Sequence, residues 1–303
     1  MTTTELRAHA DRLHRDRVPY VLATVVRAER PTSAKPGDSA LVLPDGSIDG
    51  FVGGVCAEST VRLEGLRLLA SGESELLRVT PAAAGSPAPE GVRVVENPCL
   101  SGGTLEIFLE AVIPPVLVRV FGDSPIARAI AQVGAALDLD VQNDVDPALA
   151  VAADTTAVVV AAHGRDEAPV LRAALAAGVP YVALVASPKR SAAVLAELDV
   201  AGDDRARVHA PAGLDIGART PHEIALSIYA EIVACRPRAA VPAEPAGGSP
   251  VAEALDPVCG MTVAVSPAGL SLAHKGVDWY FCGTGCREAF RDAPDRYLAT
   301  VRA

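Results

Sequence analysis

Aromatic residues are scarce in this chain, with five Phe, five Tyr and one Trp making 4% of its 303 residues. Half of the residues are nevertheless apolar. Alanine and valine carry that excess, which suits tight helix-on-sheet layers better than an aromatic-rich binding surface. Basic charge is also in deficit. Lys and Arg number 27 against 37 Asp and Glu, for a formal net charge of -10. No basic stripe interleaved with aromatics occurs, so the electrostatic footprint of a nucleic-acid binder is missing. Apolar runs of membrane-spanning length are absent too. Met1 to Asp16 is polar and charged, with no basic start leading into an apolar run, which makes the cytoplasm the expected compartment.

Cysteine is sparse, at six residues. In a reducing compartment Cys56, Cys99, Cys259, Cys282 and Cys286 read as metal, sulfur or redox chemistry before they read as disulfides. Cys235 ends an apolar helical stretch and is expected to be a small buried hydrophobe.

The length allows about two domains and an appendix. Thr4 to Arg17 suits a short amphipathic helix with a threonine cap and Glu5 in its first turn. Strands are expected over Tyr20 to Ala28, Ser39 to Leu43 and Ser47 to Val52, the last two joined by the turn Pro44-Asp45-Gly46. A helix over Ala57 to Ala70 follows and stops at Ser71-Gly72. Leu76 to Thr80 and Thr104 to Val112 read as further strands, with an aperiodic loop between them.

After Pro114-Pro115, the continuous apolar run Val116 to Phe121 is what a strand buried on both faces requires, and Ile126 to Leu137 is its helix. Ala157 to Ala162, Val170 to Ala177, Tyr181 to Ala186, Lys189 to Leu198 and Val208 continue the alternation, which predicts a doubly wound parallel sheet. Thr220-Pro221-His222-Glu223 is a capping box that opens a last helix. Pro242 to Ala254 has the composition of a linker.

Several loops carry candidate chemistry. Gly53-Gly54-Val55-Cys56-Ala57-Glu58 sets a cysteine where a strand passes into a helix, and the helix dipole there lowers a thiol's pKa and attracts anions. A buried cysteine beside turn glycines fits the same segment. Asn97-Pro98-Cys99-Leu100-Ser101-Gly102-Gly103 is similar, and two such loops meeting would flank a pocket for a soft metal centre. Gly213-Leu214-Asp215-Ile216-Gly217 leads into the capped helix and offers amides to an anion. Gly122 stands where a dinucleotide fingerprint belongs, but Ser124 replaces its second glycine, so a structural scaffold is expected over an NAD site. His163 lies at the carboxyl end of a strand, where a lone histidine reads as a loop residue.

The carboxyl-terminal segment gathers Cys259, Cys282 and Cys286 in a stretch too short to fold on an apolar core alone, so metal ligation is the expected supplement. A tetrahedral site needs a fourth ligand, with His274 the nearest candidate.

Gly53 to Glu58, Cys99-Leu100-Ser101-Gly102-Gly103-Thr104-Leu105-Glu106, Gly213 to Ala218 and Thr220 to Ala225 together resemble the XdhC/CoxI family of accessory factors over about Val21 to Arg236. Asp256 to Met261 and Tyr280 to Cys286 resemble a YHS domain. The resemblance implies a mixed α+β amino-terminal domain over 1–114, a Rossmann-like domain over 115–238, a linker over 239–254 and a metal-binding YHS domain over 255–303. It implies an accessory chaperone, not an enzyme, that shelters molybdenum cofactor and hands it to the apoenzyme of a molybdenum hydroxylase of the xanthine or carbon monoxide dehydrogenase type. A cysteine desulfurase and a second copy of the chain are further implied partners. The cofactor-binding residues it implies are Gly53, Gly54, Cys56, Glu58, Cys99, Gly102, Gly103, Gly213, Asp215 and Gly217. Cys259, Cys282 and Cys286 would hold a divalent metal, zinc by preference. The competing readings are an NAD(P)-dependent oxidoreductase built on the Gly122 domain, and a metal sensor or carrier acting through the tail.

Overall fold

The computed structural model describes residues 1–81, 90–97, 103–146, 151–235 and 251–301. It divides into two compact units, one formed by Met1–Pro114 with Glu244–Ala303 and the other by Pro115–Ala243.

The first unit opens with helix α1 (Thr3–Arg15). Its capping box is closed on both sides: the Glu5 N–H donates to Thr2 Oγ1 at 3.3 Å, and the Thr2 N–H donates to Glu5 Oε2 at 2.7 Å. Strands β1 (Tyr20–Glu29), β2 (Ser39–Val42) and β3 (Ile48–Gly50) follow, then helix α2 (Val55–Ser71) and strands β4 (Glu75–Thr80), β5 (Val92–Glu96) and β6 (Thr104–Val112). They form one sheet in the order β3-β2-β1-β6-β4-β5, antiparallel except for β4 with β5. Val61 and Leu68 of α2 pack on Val21, Val25, Leu77, Ile107 and Leu109, which buries one face of the sheet. At roughly 1.5–3 kcal/mol per fully buried aliphatic side chain, this layer supplies the main stabilisation of the unit. Strand β5 falls in the stretch that sequence pattern leaves without structure. It is short, half-exposed and at the sheet edge, so it shows little of the alternation that burial on one face imposes.

The second unit is an α/β layer structure of β7 (Leu117–Phe121), α3 (Pro125–Ala136), β8 (Asp140–Asp144), β9 (Thr155–Val160), α4 (Glu167–Ala176), β10 (Tyr181–Leu184), α5 (Pro188–Glu197), α6 (Gly202–Ala206), β11 (Val208–His209) and α7 (Pro221–Cys235). All its strands are parallel, in the order β11-β10-β9-β7-β8. Helices cover both faces, with α3 and α7 over Val118, Val120 and Val159, and α4 over Val158 and Val160. The strand order reverses between β7 and β9, so the carboxyl ends of these strands form the switch point of a doubly wound sheet. The expected strands omit β8. Its sequence is polar because it is an edge, and its terminal Asp144 forms an ion pair with buried Arg119 of β7.

The rest of the first unit is β12 (Glu253–Leu255) paired antiparallel with β13 (Thr262–Ala264), a hairpin of β14 (Leu270–His274) and β15 (Val277–Phe281), and helices α8 (Thr284–Asp292) and α9 (Pro294–Val301). Most of its aromatic content surrounds fully buried Phe290, which is in ring contact with Phe281, Trp279, His274 and Tyr297. Arg67 of α2 pairs with Glu253 at 2.7 Å, and the Ala268 N–H donates to the Asp45 carbonyl at 3.2 Å. Of the expected linker over 239–254, residues 239–250 lie outside the described residues. No helix among the described residues is long and apolar enough to cross a membrane.

Candidate functional site

A cavity of about 300 Å³ opens at the start of α2. Pro31, Thr32, Gly54, Val55, Cys56, Ala57, Val79, Pro81, Asn97, Gly103 and Leu105 line it. The sheet brings these residues together, because β1 pairs with β6 and β6 with β4. Backbone packing is closest at Gly103, where an added Cβ would meet the Pro31 carbonyl oxygen at 2.2 Å. Gly53, at φ +138°, makes the turn that directs the chain into the helix. Gly54 is the N-cap and supplies no capping side chain, so the first turn of α2 lacks the internal acceptor that helices commonly provide for themselves. A Cβ at Gly54 would meet nothing within 4 Å.

Cys56 is half-buried in that first turn. Its carbonyl accepts from Thr60 Oγ1 at 3.2 Å, and Thr60 Oγ1 in turn accepts from the Asn97 side chain at 3.4 Å. The helix start is thereby tied to the strand end that leads toward Cys99. Glu58 is also half-buried. Burial raises its carboxyl above the ordinary range, partly offset by the charge of Arg62. Cys99 and Gly102 lie outside the described residues.

A second cluster forms in the carboxyl-terminal part of the same unit. One donor atom each from Asp256, Cys259, Cys282 and Cys286 lies within 4.8 Å of all the others. The Cys282 sulfur is 3.6 Å from that of Cys259 and 3.6 Å from that of Cys286. The spacing has a local cause. Cys282 directly follows β15, and Cys286 lies in the first turn of α8. Asp256 is almost fully buried. It accepts the Val258 N–H on Oδ1 at 2.9 Å and the Cys282 N–H on Oδ2 at 2.8 Å, which ties the loop of Cys259 to the hairpin end.

The thiols of this cluster differ in acidity. A hydrogen bond from Cys282 lowers the pKa of Cys259 against the effect of burial. Cys282 is raised by its bonds to Cys259 and Cys56 and by burial. Burial, with the charges of Asp256 and Cys259, pushes Cys286 up to about 12. Three thiols and a carboxylate fit a borderline-soft divalent cation in tetrahedral geometry.

His274, the expected fourth ligand, is not in the cluster. Its ring packs edge-on against Phe290 with the centroids 5.8 Å apart, on the aromatic side of the hairpin. Asp256 is the fourth member of the cluster instead. The only hint of this in the sequence is its place three residues before Cys259. Cys56 packs on the cluster together with Met261, Val263 and Cys282.

In the second unit the expected ligand amides are engaged by the chain's own side chains. Ser124 Oγ accepts the Ala127 N–H at 3.1 Å, and Pro125 begins α3 without an N–H to offer. Gly122, at φ +121°, is required by a close crossing, since an added Cβ would lie 2.6 Å from the Ala161 carbonyl oxygen. A small cavity of about 110 Å³ remains at the switch point, with Arg165 paired to Asp123 at its mouth.

The Gly213 to Gly217 loop differs from expectation for the same reason. The Gly213 N–H donates to Glu231 at 2.8 Å, that of Gly217 to Asp215 at 3.3 Å, and those of Arg219 and Thr220 to Glu223 at 2.7 and 2.9 Å. Carboxylates already hold these amides, so in this conformation they are not a phosphate cradle. Exposed His163 sits in a left-handed turn after β9. Cys235 is exposed and not buried, at the carboxyl end of α7.

Comparison with known proteins gives three family matches: the XdhC and CoxI family over residues 13–80, the XdhC Rossmann domain over residues 118–232, and the YHS domain over residues 254–301. The chain belongs to the XdhC/CoxI family and carries a YHS domain. Among XdhC/CoxI-like relatives, the uncharacterized protein YqeB of Escherichia coli K12 is 29% identical over 253 residues, 74% of this chain and 45% of YqeB. The molybdenum cofactor insertion chaperone PaoD of the same organism is 27% identical over 264 residues, 71% of this chain and 83% of PaoD. The chain thus spans under half the length of YqeB and most of PaoD. A solved structure described as a xanthine dehydrogenase from Bacillus halodurans is 16% identical, with a TM-score of 0.36, and covers 78% of this chain and 97% of its own.

The XdhC/CoxI resemblance implies cofactor-binding residues in both units. Gly54, Cys56 and Gly103 line the amino-terminal cavity, with Gly53 and Glu58 adjacent. Gly213, Asp215 and Gly217 lie in the loop before α7. Asn97, which opens the expected second loop, completes the surroundings of Cys56 with Thr60, Pro31 and Thr32; the last three were not singled out from sequence, because ordinary polar and turn residues carry no motif signal there.

Proposed function

We propose that this chain is a molybdenum cofactor chaperone that receives the cofactor in the cavity at the start of α2 and delivers it to the apoenzyme of a molybdenum hydroxylase. The observation that carries this reading is the cavity itself, with the half-buried Cys56 on its wall and an open, uncapped helix start beside it. Molybdopterin is anionic and sulfur-rich. A thiolate suits its soft metal centre, and a helix amino terminus suits its phosphate. Val79, Leu105 and Pro31 give the cavity apolar walls that keep water from an oxidation-sensitive cargo, while Thr32 and Asn97 offer polar contacts. The relationship to PaoD supports the same assignment.

Cys56 and Cys99 are the proposed thiol contacts, and Gly53, Gly54, Gly102 and Gly103 keep the backbone close to the ligand. The test is a binding titration with isolated molybdenum cofactor for the native chain, Cys56→Ser and Cys99→Ser. The reading predicts weaker binding in both variants, and unchanged affinity in both discards the pocket.

In the same proposal Cys259, Cys282 and Cys286 hold a resident divalent metal, zinc, which would cross-link the tail. The donor chemistry fits that ion. A metal-sensing or metal-delivery role is the second reading, and the Asp256, Cys259, Cys282 and Cys286 cluster favours it. Deleting the tail after Arg238 separates the two. A chaperone keeps its cofactor binding, whereas a metal carrier loses its only activity.

A further inference from the structure

The two sites just described share a boundary. Cys56 lines the cavity and also packs against Cys282, the central thiol of the tail cluster. Its side chain packs with Met261, Val263 and Cys282. This contact is held in register at several points. Arg67 pairs with Glu253, and the Ala268 N–H reaches the Asp45 carbonyl. At Gly283, next to Cys282, an added Cβ would come within 2.9 Å of Val55 Cγ1, so the absence of a side chain there lets the tail reach the start of α2.

Asp256 is the odd member of the four-donor cluster. Both of its oxygens accept backbone N–H groups, and these two bonds fix the positions of Cys259 and Cys282. A carboxylate so engaged shapes the loop, and moving it onto a cation would weaken the bonds that build the site. Three thiols then remain, and a borderline-soft cation in tetrahedral coordination needs a fourth donor. The further thiol that packs against the cluster is that of Cys56.

Resting on the reading that the tail holds a metal, we propose that Cys56 is the fourth thiol ligand of that metal, with Asp256 as a positioning residue. The site is then built from both ends of the chain, and it takes a thiophilic divalent cation. One consequence follows for the cargo. Metal in the tail and cofactor in the cavity compete for one sulfur, so a metal-loaded tail withholds Cys56 and an incoming cofactor must displace it. This gives the YHS domain a role in cargo exchange.

The test uses the full chain with cobalt(II) alone. Absorption from thiolate-to-cobalt charge transfer scales with the number of bound thiolates. Four thiolates are expected in the native chain, with loss of about a quarter of the absorption in Cys56→Ser, whereas Asp256→Asn should bind cobalt more weakly but reach the four-thiolate absorption at saturation. Alkylation of Cys56 by iodoacetamide, read by mass spectrometry on the native chain, gives a second measure that needs no variant. It should slow at least about tenfold when cobalt is added, as a coordinated thiolate is withdrawn from reaction. A Cys56→Ser spectrum identical to the native one, or an alkylation rate indifferent to cobalt, overturns the inference while leaving a tail metal intact. Failure of the native chain to bind cobalt at all overturns both.

Discussion

Cys56, in the first turn of α2, packs against Cys282, which follows β15 near the other end of the chain. One residue thereby belongs to two surroundings, the wall of a cavity and the edge of a metal-ligand cluster. Gly54 beside it makes the cavity testable without disturbing the thiols.

Gly54→Val should fill the cavity while sparing the fold. The glycine has ordinary extended backbone angles, and an added Cβ meets nothing within 4 Å. Stability should fall by about 0.5–1.5 kcal/mol, because valine is a poorer helix N-cap than glycine. Affinity for molybdenum cofactor should fall at least about tenfold, or ~1.4 kcal/mol. Thermal melting and a cofactor titration on the same preparation check both halves.

Asp256→Asn should loosen the tail. The buried carboxylate accepts two backbone N–H bonds, and hydrogen bonds to a charged acceptor contribute about 1.5–3 kcal/mol each. Amide exchange at Val258 and Cys282 should accelerate in the variant, while exchange in the second unit stays unchanged.

Gly122→Ala should destabilise the second unit without revealing a nucleotide site. The positive φ and the 2.6 Å approach to the Ala161 carbonyl oxygen penalise any side chain, at about 1–3 kcal/mol for the backbone alone. Denaturant unfolding measures the loss. An NAD(P) titration of the native chain should show no binding, and binding abolished by this substitution would revive the oxidoreductase reading.

Glu231 links three elements of the second unit. It accepts from Tyr181 Oη at 2.6 Å and from the Gly213 N–H at 2.8 Å, and it lies 3.0 Å from His209 Nδ1. Burial alone would raise its carboxyl, but these partners hold it below its ordinary value of 4.5. Since the folded pKa is depressed, the contribution is complete above pH 4.5 and is lost as pH falls through the folded value. Glu231→Gln should therefore cost about 1.5–3 kcal/mol at pH 7, and the gap to the native chain should narrow in acid. Urea midpoints across that pH range decide it.

Local signals were readable in the sequence. The threonine cap of the first helix and the capping box at Thr220 with Glu223 depend on residues close in sequence and needed no tertiary information, though the reciprocal box at Thr2 with Glu5 was not read. Buried strands such as β7 and β9 betray themselves by continuous apolar runs. Strands β5 and β8 did not, since an edge strand has one neighbour and tolerates polar residues. The glycine and cysteine turns at Gly53 to Cys56 were visible as turns, yet the cavity they line depends on long-range pairing of β1, β6 and β4. The engagement of Gly213 by a carboxylate was equally hidden, because Glu231 lies far along α7. His274 attracted attention as the nearest ligand-type residue, but strand alternation turns it toward Phe290, and Asp256 joins the three thiols instead.

The most direct measurement is the molybdenum-to-protein ratio of the chain after gel filtration from cells that make the cofactor, with Cys56→Ser beside a Cys235→Ser control. The account predicts molybdenum and pterin co-eluting with the native chain and with the control, and loss of both from Cys56→Ser. Equal molybdenum in all three proteins, or none in the native chain, would contradict it.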